Sequence, residues 1–187
     1  MKFKFHEHRL WVSPDRRDWV QGAYSPPDDS LPEQSADCIV FRTSNGVLNA
    51  LGQAVYYQQG TTNDGAHFII GEDGGIVQHQ LPLVQTKGQP TENAVTVELI
   101  NPGPLHEDAN GIWRTWWGDP VENHWIRFTE DRTGRACANG QQLHSVIEFV
   151  NALRKAYRIA DVYLFADECL VLDQHVKTII NNQQWQK

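Results

Sequence analysis

The 187-residue sequence is poor in cysteine, with 3, and in long apolar runs. Cys38, Cys137 and Cys169 are widely spaced and odd in number, which favours thiols in the core over a disulfide framework or a zinc ribbon. No stretch approaches the roughly 18 apolar residues of a membrane span, and the first residues lack a signal-peptide core. We therefore expect no membrane partner, and a cytoplasmic location or export without a cleaved signal.

Basic residues are also scarce. The chain has 16 Lys and Arg against 23 Asp and Glu, a formal charge of −7, and no basic run long enough to follow a phosphate backbone. This balance excludes nucleic acid as an expected partner. The length suits one domain with one core.

The first 36 residues predict an N-terminal arm and a linker. Residues 3–12 alternate polar and apolar side chains as an edge strand does, and residues 25–37 (SPPDDSLPEQSAD) are rich in Pro and Asp, which disfavour both helix and central strand. We expect the domain itself to span residues 37–187.

The domain opens with a strand and a helix. The apolar run CIVF, residues 38–41, is typical of a buried strand. A helix follows over residues 46–59, with Ser44 or Asn45 as its cap. Its predicted apolar face is Val47, Leu48, Leu51 and Val55.

The stretch GAHFIIGEDGGIVQHQLP, residues 65–82, predicts a hairpin, because its central glycines accept the positive φ of such turns. The run AVTVELI, residues 94–100, predicts a buried strand that contains one carboxylate, Glu98. Residues 138–157 form the best helical pattern of the chain, and residues 161–166 predict a further buried strand. The last residues, 170–184, predict a short helix or a tail.

Residues 101–133 carry no regular pattern and are expected to be an irregular loop. Their tryptophans suit the packing of that loop, or a lid that stacks on sugar faces. These tryptophans are Trp113, Trp116, Trp117 and Trp125. The order of elements predicts a single α/β domain with a mixed central β-sheet flanked by helices.

Four of these motifs, in this order, resemble the zinc-dependent N-acetylmuramoyl-L-alanine amidases, the group that includes the peptidoglycan-recognition proteins. The hairpin is similar to the family's His-aromatic-aliphatic strand and Gly turn. The run VELINPG, residues 97–103, resembles its Gly-Ile-Glu-Leu-Val-Asn-Pro-Gly strand. The strand CIVF with its helix, and the helix over residues 138–157, match in position. The resemblance covers about residues 37–166 and implies an amidase fold.

The resemblance also implies one zinc ion, held by two histidines and an aspartate or cysteine, with a position left for water. The first histidine belongs to a His-x-Thr pattern, where this sequence reads Phe41-Arg42-Thr43. The second belongs to a Gly-His-x-Asp pattern, where Ala166 stands. On this alignment both histidine ligands are missing, so no cofactor is expected.

Glu98 matches the glutamate that some members of the family use as a general base, and its alternative role is a structural carboxylate bonded to an arginine. Arg42 is expected to pair with Glu98 or to hold the carboxylate of a peptide stem, because guanidinium binds carboxylates in a bidentate fork. Together with Arg42, the other substrate-binding candidates are Thr43, His67 on the cleft wall, and Asn101.

A relocated zinc site built from His67, Cys169 and His175 is a second possibility, in which zinc would be the cofactor. The other histidines are expected on the surface or in loops. They are His6, His8, His79, His106, His124 and His144.

The sequence thus predicts a degenerate amidase-fold domain that binds peptidoglycan or muramyl-peptide fragments without zinc-dependent hydrolysis. One alternative is an active amidase with relocated ligands, which cleaves the amide between the lactyl group and L-alanine. The other is an interaction or regulatory domain that uses the old cleft for a protein partner. Whether the chain is an enzyme stays open between these hypotheses.

Overall fold

The computed structural model describes residues 3–6, 9–12, 35–46, 49–59, 65–86, 93–128, 132–159 and 161–164. The predicted ligand positions Ala166, Cys169 and His175, and the predicted C-terminal helix or tail, lie outside these residues. The elements are, in chain order, β1 Phe3–His6, β2 Arg9–Val12, β3 Cys38–Asn45, α1 Ala50–Gln59, β4 Phe68–Ile70, β5 Ile76–Gln78, β6 Ala94–Asn101, β7 Pro104–Glu107, β8 Trp113–Arg114, a short 3-10 helix Asn123–Trp125, β9 Ile126–Phe128, β10 Gly134–Ala136, α2 Gly140–Tyr157 and β11 Asp161–Leu164.

A five-stranded mixed sheet forms the centre of the molecule, in the order β11-β3-β6-β4-β5. The first four of these strands are parallel to their neighbours, and β5 runs antiparallel to β4. All eight residues of β6 are buried, as expected for a central strand covered on both faces. The predicted α/β class with a mixed sheet is therefore confirmed.

The two helices cover opposite faces of this sheet. Side chains alternate along the strands, so Phe41, Phe68 and Val97 point to one face, where they meet the apolar stripe of α2. The rings of Phe68 and Phe149 lie 4.7 Å apart, edge to face. On the other face, Ala54 of α1 packs against Ile69. Each face of β6 thus has its own helix.

Helix α2 confirms its prediction, since Asn139 caps it by accepting hydrogen bonds from the amides of Gln141 and Gln142. Helix α1 begins later than predicted. Its first turn is capped by Asn49, whose side chain accepts from the Gly52 amide at 2.8 Å.

Two predictions about α1 were wrong. Ser44 and Asn45 do not cap it, because both belong to β3. Val55 does not face the core, since it is 37% exposed, while Ala50 and Ala54 are buried. Small side chains let the helix lie close to the sheet, which the spacing of larger apolar residues did not reveal.

Within the N-terminal arm the structure describes two antiparallel strands, β1 and β2, and Phe5 and Leu10 of these strands pack on the central core. The Phe5 ring contacts Phe68 at 5.8 Å and Tyr157 at 5.5 Å. The Leu10 amide donates to the side-chain oxygen of Gln78 at 2.7 Å. A boundary at residue 36 stays a prediction, and these contacts tie both sides of it to one core.

Residues 104–136 contain a second, four-stranded sheet in the order β8-β7-β10-β9. The expectation of an irregular loop was therefore wrong. The strands are only two to four residues long, too short to show an alternating pattern. Trp113 packs here against Phe128 at 5.2 Å, whereas Trp116 and Trp125 are exposed. Packing thus accounts for Trp113 alone of these three.

The described residues also bear on the expected core thiols and on the expected lack of a membrane span. Cys38 is buried, as a core thiol should be, and Cys137 is half-buried, while Cys169 lies outside the described part of the chain. Within the described ranges, no helix is both long enough and apolar enough to cross a membrane.

Candidate functional site

An ion pair joins the two central strands on the face that α1 covers. Arg42 of β3 lies directly beside Glu98 of β6 in the parallel register. The Arg42 Nε donates to Glu98 Oε2 at 2.7 Å, with 24% of the arginine side chain exposed against 2% of the glutamate. The predicted pairing of Arg42 with Glu98 is confirmed.

Tyr57 of α1 completes the charge network. Its hydroxyl donates to Glu98 Oε2 at 2.6 Å and accepts from Arg42 Nη2 at 3.0 Å. Burial, followed by the negative charge of Glu98, raises the pKa of Tyr57 to about 12, so the hydroxyl keeps its proton at neutral pH. The second carboxylate oxygen of Glu98, Oε1, is buried and has no hydrogen-bond partner among the described residues. Sequence reasoning missed Tyr57, because nothing in α1 marks one tyrosine over its neighbour.

His79 was expected on the surface or in a loop, and it lies in the loop that follows β5, but it is buried. It is only 4% exposed, and its ring centre is 5.7 Å from that of Tyr57. Burial, followed by the charge of Arg42, lowers the pKa of His79 to about 4, so the ring is neutral at pH 7. A Cβ at Gly65 would lie 3.0 Å from two atoms of this ring, so the glycine makes room for the histidine. His106, His124 and His144 are exposed, as predicted.

His67 is fully buried, and both of its ring nitrogens are engaged. Nε2 donates to the Val84 carbonyl at 2.8 Å, and Nδ1 accepts from the Thr96 amide at 2.9 Å. Because a carbonyl can only accept and an amide can only donate, these partners fix the neutral tautomer with its proton on Nε2. Burial lowers the pKa of His67 to about 4. The ring therefore fastens the hairpin to β6 and presents no nitrogen to a cleft, in contrast to the expected place on its wall.

Asn101 and Thr43, the other two substrate-binding candidates, lie away from the ion pair. Asn101 is buried at the end of β6, where its amide donates to the Ala136 carbonyl at 2.9 Å and accepts from the Gly103 amide at 3.0 Å. It joins the two sheets. Thr43 is half-buried and, one residue after Arg42, belongs to the opposite face of β3.

The position that the alignment gave to a zinc ligand, Phe41, is in the core. Phe41 is fully buried on the face of α2, so Arg42 is the residue that faces Glu98. A guanidinium there repels a metal cation, and no group of three His, Cys, Asp or Glu side chains that could hold a metal occurs within the described ranges. The described residues therefore do not fit zinc beside Glu98. The relocated site with Cys169 and His175 stays a prediction.

The carboxyl ends of β4 and β6 are held together by a side chain that the sequence did not single out. Gln142 of α2 is 1% exposed and donates its amide to the carbonyls of Ile70 at 3.1 Å and Ile100 at 3.0 Å. The hairpin turn docks on the same helix, because the Ser145 hydroxyl donates to the Gly74 carbonyl at 2.7 Å. Gly74 has φ of +76°, and a Cβ there would lie 2.8 Å from Ser145 Oγ.

Beside this docked turn, at the carboxyl ends of the parallel strands, lies a cavity of about 370 Å³. Crevices at this edge of an open α/β sheet commonly hold ligands. It is lined by Gly46, Asn49, Glu72, Asp73, Ile100, Trp117, Asn139 and Gln141.

No protein-family model matches the sequence, and no curated protein matches it. Two solved structures from Clostridium intestinale URNW are similar to the chain. The N-acetylmuramoyl-L-alanine amidase LysC is 17% identical, with a TM-score of 0.50 over 83% of this chain and 85% of that one. The endolysin N-acetylmuramoyl-L-alanine amidase LysCS is 17% identical, with a TM-score of 0.47 over 82% and 84%. At this identity the likeness to LysC shows a shared fold.

Proposed function

We propose that this chain, which has the fold of an N-acetylmuramoyl-L-alanine amidase, is a degenerate member of that fold that binds peptidoglycan or muramyl-peptide fragments without zinc-dependent hydrolysis. The observation that carries the proposal is the ion pair of Arg42 and Glu98. A catalytic glutamate must accept a proton from its nucleophile, yet Glu98 Oε2 already accepts from Arg42 and from Tyr57, and its other oxygen, Oε1, is buried where a nucleophilic water from solvent does not reach it.

Binding is supported by the position of Arg42. Its side chain is 24% exposed, whereas its partner Glu98 is buried, so Arg42 is the charged residue of the network that reaches solvent. A stem peptide of peptidoglycan carries carboxylates, and guanidinium is the side chain best suited to bind them. The proposal assigns ligand contact to Arg42, and it assigns to His67 and Asn101 the role of fixing the strands behind it.

A second candidate function, a protein-interaction domain, is favoured by one surface. Four large apolar side chains of the smaller sheet and its turns are 40–59% exposed. Exposed large apolar side chains mark interaction sites where they form a contiguous patch. The residues are Ile112, Trp116, Trp125 and Phe128.

Sedimentation with insoluble peptidoglycan tests the binding proposal. We expect the wild-type protein to be retained, the Arg42→Met variant to be retained more weakly, and no new L-alanine amino termini to form. Arg114→Met is the matched control, because Arg114 forms a similar ion pair with Asp108, at 2.8 Å, in the other sheet.

Two results contradict the proposal. Stoichiometric zinc, together with amide cleavage that is lost when Cys169 or His175 is replaced, would identify an active amidase. No retention with or without added zinc would exclude a cell-wall ligand and leave the interaction function.

A further inference from the structure

The cavity at the carboxyl ends of β3 and β6 is lined by residues that take no part in the ion pair of Arg42 and Glu98. One wall is the hairpin turn with Glu72 and Asp73, and another is Trp117 from the smaller sheet. Ile100 lies at its base. Because Ile100 follows Glu98 by two residues on the same face of β6, the cavity begins about 7 Å along the strand from the ion pair. Its volume is within the range of small-molecule sites, about 300–1,000 Å³.

The cavity is lined by two carboxylates, which only accept hydrogen bonds, and by three amide side chains, which both donate and accept. Two helices begin here, but their first amides are already bonded: the Gly52 amide to Asn49, and the Gln141 and Gln142 amides to Asn139. The helix ends therefore have little to offer an anion, and none of the described lining residues is basic.

The groups that only accept hydrogen bonds are the carboxylates of Glu72 and Asp73, in the turn between β4 and β5. Asp73 uses one oxygen to cap the Gly75 amide at 2.9 Å. Burial, followed by the charge of Asp73, raises the pKa of Glu72. Glu72 and Asp73 are both exposed residues, so their carboxylates are open to hydrogen-bond donors of a ligand.

Trp117 supplies the apolar wall. Its indole nitrogen donates to Asp119 at 2.7 Å, so the polar edge of the ring is satisfied outside the cavity lining. The rest of the indole offers a flat apolar surface. An apolar wall in the same cavity as carboxylates and amides suits a ligand with an apolar ring face and hydroxyls at its edge.

We propose that this cavity binds a saccharide ring, stacked on Trp117, with hydroxyls that donate to Glu72 and Asp73. The choice of a glycan as the natural source of the ring rests on the proposed function, whereas the site itself does not involve Arg42. Trp117 comes from the segment after β8 of the smaller sheet, and Glu72 and Asp73 come from the turn between β4 and β5 of the larger sheet. The site therefore requires both sheets.

The probe is chitotriose, a soluble oligomer of N-acetylglucosamine, and the measurement is its Kd by calorimetry or by NMR titration of the indole signals. Trp117→Ala is expected to raise the Kd about tenfold, because it removes the stacking surface. Trp116→Ala is the matched control. Trp116 is 59% exposed, lies edge to face with Trp117 at 5.3 Å, and does not line the cavity, so its removal should leave the Kd unchanged.

Two further variants keep the test valid if Trp117→Ala fails to fold. Trp117→Phe retains an apolar ring and is expected to raise the Kd less than alanine does. Glu72→Ala removes one acceptor and is expected to raise the Kd about threefold to tenfold, whereas the backbone carbonyl of residue 72 keeps its bond to Asn139.

Absence of chitotriose binding to the folded wild-type protein overturns the inference, as does equal weakening by Trp116→Ala and Trp117→Ala. Lysine amide that binds in its place, and is released by salt, would show that the carboxylates recognise an ammonium group instead.

The two proposals can fail separately. Peptidoglycan retention that depends on Arg42, without chitotriose binding, refutes only the saccharide cavity. Chitotriose binding that depends on Trp117, without peptidoglycan retention, supports the cavity and refutes the cell-wall function.

Discussion

Breaking the ion pair between Arg42 and Glu98 should cost far more than its one hydrogen bond suggests. Glu98 is 2% exposed and its Oε2 receives Arg42 Nε at 2.7 Å and the Tyr57 hydroxyl at 2.6 Å. Arg42→Met leaves this carboxylate buried with only the phenol as a donor. Removing one partner of a buried ion pair costs about 3–5 kcal/mol of unfolding free energy, so we expect a loss in that range.

The reverse change, Glu98→Leu, should cost less, because Arg42 is 24% exposed and can turn its charge toward water. The Tyr57 hydroxyl then loses its acceptor, for which about 1–3 kcal/mol is the usual cost. The double variant, Arg42→Met with Glu98→Leu, removes both charges. It should be less destabilised than the sum of the single variants by about 2 kcal/mol or more.

Urea denaturation of the four proteins, at pH 7 and constant ionic strength, measures this coupling. The control is the same cycle on Arg114 and Asp108, a more exposed pair, for which the coupling should be much smaller. Additive losses in the Arg42 and Glu98 cycle, or a larger cost for Glu98→Leu than for Arg42→Met, would refute the reasoning.

Two other predictions concern the buried histidines. Folding lowers the pKa values of His67 and His79 from 6.5 to about 4, so protons bind the unfolded chain more tightly than the folded one. The free energy of unfolding should therefore be constant above about pH 6.5, and fall by about 3 kcal/mol for each ring as the pH falls toward 4. The urea midpoint measured against pH should drop over this window, and His79→Phe should make the drop smaller; an unchanged profile would contradict the buried neutral ring. Gly65→Ala should destabilise the fold by about 1–3 kcal/mol, because its Cβ would lie 3.0 Å from the His79 ring. Thermal denaturation measures this, His79→Ala should restore part of the loss, and a failure to do so would place the strain elsewhere.

The central sheet was predictable because its strands are buried on both faces and read as short apolar runs, of which CIVF and AVTVELI are the clearest. The helical spacing of the apolar residues in α2 predicted that helix, and the glycines between β4 and β5 predicted the hairpin turn. The smaller sheet was not predictable, since strands such as Trp113–Arg114 are too short for any period.

The residues of the candidate site were likewise predictable only in part. The pairing of Arg42 with Glu98 was one of the two roles expected for Arg42 from the resemblance, and Glu98 was visible as a carboxylate within a predicted buried strand. Tyr57 and His79 did not follow, because they reach the ion pair from separate elements, and only the packing of α1 and the hairpin brings them there. Trp117 was one of four tryptophans with a possible stacking role, and only the folded chain places it in the cavity.

By itself, the sequence determined the fold class, the strands of the central sheet and the presence of a carboxylate, Glu98, within a buried strand, because burial and periodicity are local properties of a strand or helix. Tertiary structure decided which face each side chain took. The one-residue step from Phe41 to Arg42 turned a supposed ligand position into core and placed a cation beside Glu98, since successive residues of a strand point to opposite faces. It also decided that His67 fastens strands instead of lining a cleft, because both ring nitrogens meet backbone partners that only the folded chain supplies.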